Sequence, residues 1–334
     1  MPSSVKLAFA DPYEYQSSIG SSGVRVVVTR RGEFQAKLTR IELHRVRVIS
    51  GWQSLASIAH VAVPTNLNVL FFLADSEQAA TTLGGIEFRP GDIVSTALGG
   101  EYHHRGVGNA RWGSIALEAG DLAAFGQALV GREVRFPAAT QILRPSPGLV
   151  SQLLSLQKAA NNLATSAPDI LAHPAVARAI EQALARATIA CLTEPAAAEN
   201  FRQRRPQTAI MRRFEQILEA NPDEPLYVTD VCAAIGVTDR TLRLHCQYHL
   251  GMNPQRYLWL RRMHLARRAL ALADGTVKTV TEIANDHGFG ELGRFAVSYR
   301  RLYGEAPSVT LRRPPDSRGS IEIGRANRLI SDSA

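Results

Sequence analysis

Cysteine and lysine are both scarce in this chain of 334 residues. The three cysteines, Cys191, Cys232 and Cys246, are odd in number and far apart, and no C-x-x-C pair occurs. That pattern argues against a disulfide framework or a zinc site and suits a reducing cytoplasm. Because only four residues are lysines, arginine supplies nearly all of the basic charge.

Long hydrophobic runs are absent as well. No apolar stretch approaches the roughly 18 residues that cross a bilayer, and the N-terminal stretch MPSSVKLAFADPYEYQ has no long apolar core. We therefore expect no membrane segment, no signal peptide and a cytoplasmic location. The formal net charge of +8 favours an anionic partner such as nucleic acid. A GC-rich genome would also enrich arginine, so the charge alone does not identify that partner.

Residues 20–145 have the pattern of a β domain. Between residues 23 and 120, short runs such as VRVVV, RVRVIS and NVLFFLA are separated by Gly, Pro, Asn and Asp. Many short strands at close spacing are typical of a sandwich or a barrel. We predict one of these two architectures for the N-terminal domain.

Residues 146–194 change to helical periodicity. Apolar residues recur at intervals of four and three, the seam of a short coiled coil, at Leu149, Leu153, Leu156, Ala160 and Leu163. Such a seam either pairs with its twin in a homodimer or covers the barrel of its own chain, and we favour the homodimer. The polar, proline-flanked stretch 195–208 is predicted to be a linker.

Residues 209–313 are predicted to be helical throughout, followed by a disordered tail at 314–334. The helical part contains a repeat, because YVTDVCAAIGV at 227–237 aligns with TVTEIANDHGF at 279–289. Each block offers a threonine as N-cap, Thr229 or Thr281, then an acidic residue, and later a glycine where the chain turns. A second amphipathic helix follows each block. The pattern predicts two helix-turn-helix units.

The two units share an inward stripe, in which Leu242 aligns with Phe295 and Cys246 with Tyr299. The predicted structural core comprises Gly236, Leu242, Cys246, Gly288, Phe289, Phe295, Tyr299 and Pro307. One long helix at 253–273 joins the units. About 18 helical residues at ~1.5 Å per residue span about 27 Å, which approaches the roughly 34 Å between successive major grooves.

The outward faces of the second helices are predicted to contact DNA. Side chains that can hydrogen-bond base edges lie in the first unit: Arg240, Arg243 and Gln247. Apolar side chains that can touch thymine methyl groups lie in the second: Leu292, Ala296 and Val297. We expect the first unit to dominate hydrogen-bonded base readout. The predicted phosphate contacts are Thr238, Arg261, Arg294, Arg300 and Arg301.

These features together resemble the DNA-binding domain of the AraC/XylS transcription regulators. Besides the repeats, the resemblance rests on Tyr257-Leu258 and Arg261-Arg262 in the long helix and on Gly288-Phe289, Gly304 and Pro307 in the second unit. It implies a sequence-specific transcription regulator with a double-stranded DNA operator as partner, contact with RNA polymerase, and a homodimer.

The N-terminal domain resembles the cupin-type sensor domain of the same family. The resemblance rests on Pro90-Gly91-Asp92, followed by Gly99-Gly100 and His103. It implies a pocket for a small-molecule effector whose identity the sequence does not reveal. The predicted fold class is therefore α+β in two domains, a cupin-like β domain with helices after it and an all-α domain with two helix-turn-helix units.

The alternative function is a metal-dependent cupin enzyme associated with DNA. Such a site needs several histidines and a carboxylate that face into the barrel. The N-terminal histidines are His44, His60, His103 and His104, and no H-x-H pair occurs in the chain. We therefore predict no metal, no cofactor and no catalytic residues.

Overall fold

The computed structural model describes residues 2–20, 23–194, 197–200 and 205–313. These residues form an N-terminal β domain, a helical segment packed on it, and a C-terminal helical domain. The strands are β1 Ser3–Phe9, β2 Val24–Val28, β3 Ala36–Glu42, β4 Arg47–Gln53, β5 Ser57–Ala62, β6 Leu67–Leu73, β7 Thr81–Leu83, β8 Ile86–Phe88, β9 Ile93–Ser95, β10 Glu101–Gly106, β11 Ala110–Glu118, β12 Gln141–Arg144 and β13 Ala197–Asn200.

The helices follow the same chain order. They are α1 Pro12–Ile19, α2 Ala119–Val130, α3 Pro147–Ser166, α4 Pro168–Ala172, α5 Pro174–Thr193, α6 Arg205–Ala220, α7 Val228–Ile235, α8 Asp239–Leu250, α9 Pro254–Leu272, α10 Val280–Asp286, α11 Leu292–Tyr303 and α12 Pro307–Arg312. The architecture is thus α+β in two domains, as the sequence predicts. Within the described ranges, none of these helices combines the length and hydropathy needed to cross a membrane.

The β domain consists of two antiparallel sheets that face each other across a cavity. The first sheet has the strand order β1-β3-β4-β11-β6-β9-β12-β13, and the second has the order β2-β5-β10-β7-β8. Successive side chains on a strand point to opposite faces. Each strand of the second sheet can therefore present one set of side chains to the cavity and the alternate set to its outer surface.

The β domain begins earlier in the chain than residue 20, where the sequence places its start. β1 pairs with β3 along seven residues, from Ser3 with Glu42 to Phe9 with Ala36. Asp11 caps α1 by accepting a hydrogen bond from the Tyr13 amide at 2.8 Å. β1 is an edge strand with one buried residue, so its sequence carries little hydrophobic signal.

The leucine seam of α3 packs within its own chain. Leu153 and Ala160 are fully buried in a core that includes Ile41 and Phe72 of the first sheet and Leu184 of α5. Leu149, Leu156 and Leu163 pack partly buried against the same core. In this arrangement the seam covers the sheet, which was the second of the two roles that the sequence left open.

The stretch 195–208, predicted to be a linker, contains regular structure where it is described. β13 pairs antiparallel with β12, and α6 begins at Arg205 instead of near residue 209. β13 depends on a neighbour in the fold, because it is added to an edge that β12 supplies. The predicted tail at 314–334 lies outside the described residues.

Two helix pairs of the helical domain correspond to the repeat. We call α7 and α8 the first unit, α10 and α11 the second unit, and α9 the linking helix. Gly236 ends α7 at φ +79°, and Gly288 follows α10 at φ +72°. Both glycines adopt the left-handed conformation, which side chains with a Cβ rarely adopt.

The predicted helix caps differ from the observed ones by two residues. Thr279 is the N-cap of α10 and forms a capping box with Glu282, whereas Thr281 lies within the first turn. In the first unit the N-cap is Tyr227, without a side-chain cap, and Thr229 is again within the helix. Alignment of the repeats fixed their relative register but left the first residue of each helix open.

The inward stripe forms one continuous core. Leu242, Cys246 and Tyr299 are fully buried and Phe295 is 3% exposed, as the sequence predicts. The same core extends beyond the helical domain to Val27 of β2 and Ile58 of β5. The two domains therefore share apolar packing in addition to polar contacts.

Candidate nucleic-acid interface

α8 presents an open polar face that points away from the core. Thr238 caps the helix by accepting a hydrogen bond from the Thr241 amide at 3.2 Å. Arg240, Arg243 and Gln247 are all exposed, one helical turn apart, opposite buried Leu242 and Cys246. Arg243 pairs with Asp239 at 2.8 Å, an exposed contact that a base edge or phosphate can replace.

α11 presents an open apolar face in the same way. Leu292 is 37% exposed and Val297 is 69% exposed, while Ala296 is also exposed. Phe289 packs its ring 4.8 Å from that of Phe295, which fixes the opposite face of α11 on the turn. A surface of small and branched apolar side chains can contact thymine methyl groups but cannot donate hydrogen bonds to base edges.

Leu244 is a residue of this surface that the sequence analysis missed. It is 68% exposed on α8, between Arg243 and Gln247. The alignment of Leu242 with Phe295 places Leu244 at the position of Val297 in the second unit. Leu244 cannot hydrogen-bond a base edge, so it was not among the residues predicted to read DNA. Its alignment with Val297 was the available signal, because both residues lie outside the inward stripe.

The predicted phosphate contacts divide into surface residues and one buried residue. Arg294, Arg300 and Arg301 are exposed on α11. Arg294 donates to Glu291 at 2.9 Å, and Arg300 and Arg301 lie in the last turn of the helix. Thr238 is exposed, although its hydroxyl oxygen is engaged in the helix cap.

Arg261 is the exception, and its predicted phosphate contact is wrong. Its side chain is 5% exposed. Its guanidinium donates to main-chain carbonyl groups at the end of α6 and in the loop after it, those of Leu218, Asn221, Pro222 and Glu224. Residue type suggested a phosphate ligand, but Arg261 lies on the face of α9 that packs against α6.

Cys246 has the character of a core residue. Burial raises the pKa of its thiol well above the usual value, so that the reactive thiolate is disfavoured. All three cysteines carry free thiols.

The end of the second unit is closed by α12. Pro307 is buried at the start of this helix, and the Tyr299 hydroxyl lies 2.8 Å from Thr310 Oγ1.

A cavity of about 380 Å³ lies between the sheets of the β domain. Its lining is mainly apolar and aromatic and includes Val26, Ala59, Phe71, Tyr102, Trp112 and Ala116. Trp112 Nε1 donates to the Tyr15 hydroxyl at 3.0 Å. Burial lowers the pKa of His104 to about 4, so its imidazole is neutral at neutral pH. Glu42 and Arg47, which also line the cavity, pair at 3.3 Å.

The histidines of the β domain do not converge on this cavity. His104 lines it, His44 is exposed, and His60 and His103 are buried at the boundary with the helical domain. Within the described part of the chain, no group of three or more His, Cys, Asp or Glu side chains is arranged to hold a metal ion.

Two helix-turn-helix units joined by one linking helix define a class of DNA-binding domains that present two recognition helices. A family model described as a helix-turn-helix domain matches residues 231–313. The chain is 33% identical over 164 residues to the probable thc operon regulatory protein of Rhodococcus erythropolis, covering 49% of each chain. It is 35% identical over 101 residues to the XylDLEGF operon transcriptional activator 3 of Pseudomonas putida, covering 30% of each.

Two solved structures are also similar to this chain. A probable AraC family transcriptional regulator from Rhodopseudomonas palustris CGA009 is 35% identical, with 32% of this chain and 99% of that chain covered and a TM-score of 0.28. The AraC-like transcriptional activator CuxR is 13% identical, with 79% and 96% covered and a TM-score of 0.42. The helical domain is therefore similar to the DNA-binding domain of the AraC/XylS family of transcription regulators. The chain spans about half the length, or less, of the two curated relatives named above.

Proposed function

We propose that this protein is a sequence-specific DNA-binding transcription regulator controlled by a small molecule in the cavity of its β domain. The observation that carries the proposal is the pair of exposed reading faces on α8 and α11, held by the linking helix. α9 has 19 residues and is about 28 Å long at ~1.5 Å per residue. That length approaches the roughly 34 Å between neighbouring major grooves on one side of DNA.

The two faces contact bases in different ways. Arg240, Arg243 and Gln247 of α8 supply hydrogen-bond donors, and Gln247 also supplies an acceptor. Leu244 of α8 and Val297 of α11 supply matched apolar contacts. Ala296 and Leu292 extend the apolar face of the second unit. The exposed arginines of α11 contact phosphates and set the register of the domain on DNA.

The effector is a largely apolar molecule. The cavity offers aromatic rings and aliphatic side chains, its histidine is neutral, and Glu42 pairs with Arg47. Arg40 also lines the cavity, and its guanidinium donates to the Ser18 carbonyl. A cavity of about 380 Å³ is within the range of small-molecule sites. Homodimer formation, contact with RNA polymerase and a cytoplasmic location complete the proposal, together with the cupin type of the β domain.

Selection of genomic fragments by the full chain tests this function. The protein is expected to retain a small set of fragments that share a sequence, with affinity that falls steeply as salt rises. About six phosphate contacts give a log–log slope near −5, because each contact releases condensed counterions. Binding that is insensitive to salt, or fragments without a common sequence, would contradict the proposal.

Arg243→Ala is expected to relax sequence preference at one or two positions of the selected site. An arginine that makes a bidentate hydrogen-bonded contact with guanine contributes about 1–3 kcal/mol of discrimination against a wrong base. Leu244→Ala and Val297→Ala remove equivalent apolar contacts and are expected to reduce discrimination less. The three variants are measured against every single-base change in the site. If Val297→Ala alters the preference more than Arg243→Ala does, the second unit is the principal reader.

Arg300→Ala is expected to weaken binding to all sequences alike and to reduce the salt slope by about 1, since it removes one phosphate contact. Arg301→Ala serves as the adjacent comparison in the same exposed turn. The measurement is affinity for the selected site and for a scrambled site across a salt series. A change confined to the selected site would make Arg300 a base contact.

The enzyme alternative has its own test. A DNA-associated cupin enzyme would retain stoichiometric iron, manganese or zinc when purified without a histidine tag. The regulator proposed here is expected to contain none of them in stoichiometric amount.

A further inference from the structure

Glu215 of α6 is buried at the boundary between the two domains. Its side chain is 1% exposed. Arg25 Nη1 donates to Glu215 Oε2 at 2.6 Å, and His103 Nε2 donates to Glu215 Oε1 at 2.7 Å. Both donors belong to the second sheet of the β domain. A buried carboxylate of the helical domain is thus held by two donors of the other domain.

His60 lies between these two donors. The second sheet pairs Arg25 with His60 and His60 with His103, so the three residues form one row across β2, β5 and β10. His60 Nδ1 lies 3.8 Å from Glu215 Oε2, and His60 Nε2 lies 3.7 Å from Glu101 Oε2. Among the described residues neither nitrogen has a hydrogen-bond partner. We call Arg25, His60 and His103 the polar row.

The ionised form of Glu215 is stabilised by this row. Burial would raise the pKa of its carboxyl group. The hydrogen bond from His103 and the electrostatic interactions with His103, His60 and Arg25 outweigh that effect and lower the pKa to about 2. Glu215 therefore carries its charge throughout the neutral range, and the contact depends on the position of the row.

The opposite face of the same strands is the wall of the cavity. Neighbours of the row in sequence line the cavity: Val24, Val26, Ala59, Val61, Tyr102 and His104. A single sheet therefore separates the cavity from Glu215. A ligand that displaces β2 or β10 must also displace a donor to Glu215, because adjacent residues share one backbone. β5 pairs with both of these strands, so a displacement of β5 is passed to the strands that carry Arg25 and His103.

On the helical side, α6 connects Glu215 to the first unit. Phe214, its neighbour in sequence, is fully buried in the core that contains Leu242 and Cys246 of α8. Tyr248 at the end of α8 lies directly against Gly85 of the β domain, where an added Cβ would overlap its ring. The Gly32 amide donates to the Leu302 carbonyl of α11 at 3.3 Å. The β domain thus contacts both reading helices away from their exposed faces.

We propose that the polar row and Glu215 couple occupancy of the cavity to the affinity of the helical domain for DNA. This coupling rests on the proposed function, in which the cavity binds the effector. A ligand shifts the affinity at a second site only by binding the two arrangements of the protein unequally. The two arrangements here are Glu215 engaged by the row and Glu215 released from it.

A double-mutant cycle tests the coupling in the full chain. Ala59→Phe fills the cavity from β5, beside His60, and stands in for an effector. In an otherwise unchanged chain it is expected to alter the dissociation constant for a selected genomic fragment at least fivefold, the lower end of usual allosteric couplings. Glu215→Gln keeps the shape of the side chain but removes its charge. In a chain that carries this substitution, Ala59→Phe is expected to alter the same dissociation constant less than twofold.

Two controls separate the row from general effects. Ala116→Phe makes the same substitution from β11, on the opposite wall, and is expected to change the dissociation constant less than twofold. Glu219→Gln removes the half-exposed carboxylate that Arg25 also contacts at 3.2 Å, and it is expected to preserve the response to Ala59→Phe. A response to Ala59→Phe that is equally large with and without the Glu215→Gln substitution would overturn the proposal.

Hydrogen exchange gives a readout that does not require DNA. Ala59→Phe is expected to increase amide exchange in α6, with no further increase when Glu215→Gln is also present. If Ala59→Phe does not fold, Ala59→Leu replaces it in both measurements. Unchanged exchange in α6 of the folded variant would overturn the coupling. If the unmodified chain retains no genomic fragment, the proposed function fails, while the exchange experiment still tests the row.

Discussion

Replacing Phe295 by alanine is expected to lower the free energy of unfolding of the second unit by roughly 3–5 kcal/mol, the usual cost of emptying a buried aromatic site. Phe295 is 3% exposed, and its ring centroid lies 4.8 Å from that of Phe289 and 5.6 Å from that of Tyr299. These contacts hold α11 on the turn after α10. Their loss leaves a cavity that two large neighbouring rings cannot readily fill.

Val297→Ala is the matched control for this substitution. It lies two residues further along the same helix and is 69% exposed, so its truncation is expected to change stability by no more than about 0.5 kcal/mol. The measurement is the opening free energy of the amides in α10 and α11, obtained from native-state hydrogen exchange. Similar small effects of both substitutions would show that α11 does not depend on the Phe295 contacts.

The helical domain could be predicted in detail because its signals are local and occur twice. Gly236 and Gly288 mark the turns, and the inward stripe follows helical spacing in both units. A single copy would have been compatible with any amphipathic helix pair. The same comparison also contained Leu244, which becomes evident once its exposure and its alignment with Val297 are considered together.

The cavity and the polar row could not be predicted, because they depend on residues far apart in the chain. Arg25 and His103 meet Glu215 across 190 and 112 positions. Alternation along β10 does separate His103 from His104 by face, but only strand pairing shows which face is the cavity. β1 was missed for a related reason, since an edge strand with few buried residues owes its place to β3.

Arg261 shows why residue type is a poor guide to role on the linking helix. Its neighbour Arg262 stacks over the rings of Tyr227 and Phe289, at 5.0 and 5.3 Å from their centroids, and donates to the Gly288 carbonyl. The two adjacent arginines thus hold α9 to different neighbours. Arg261 binds the end of α6, and Arg262 binds the turn of the second unit. The Arg261-Arg262 pair in the family resemblance therefore has a structural explanation.

Arg261→Met is accordingly expected to destabilise the helical domain by roughly 3 kcal/mol or more. Methionine retains much of the length of the side chain, but the substitution leaves the buried carbonyl group of Leu218 and the part-buried carbonyl group of Pro222 without this donor. Hydrogen bonds to a charged group contribute about 1.5–3 kcal/mol each, and a buried acceptor left unpaired adds a desolvation cost. The end of α6 also loses a favourable cation.

The salt dependence of DNA binding distinguishes this role from a phosphate contact. Arg261→Met is expected to lower the free energy of unfolding while the protein that remains folded binds DNA with an unchanged log–log salt slope. Arg300→Ala is expected to leave the free energy of unfolding unchanged and to reduce the salt slope. The Arg300 side chain is exposed, and DNA binding by the variant releases one fewer counterion. Chemical denaturation and a salt series are measured on both variants. A slope that falls by about 1 in Arg261→Met, with stability unchanged, would restore Arg261 to the DNA surface.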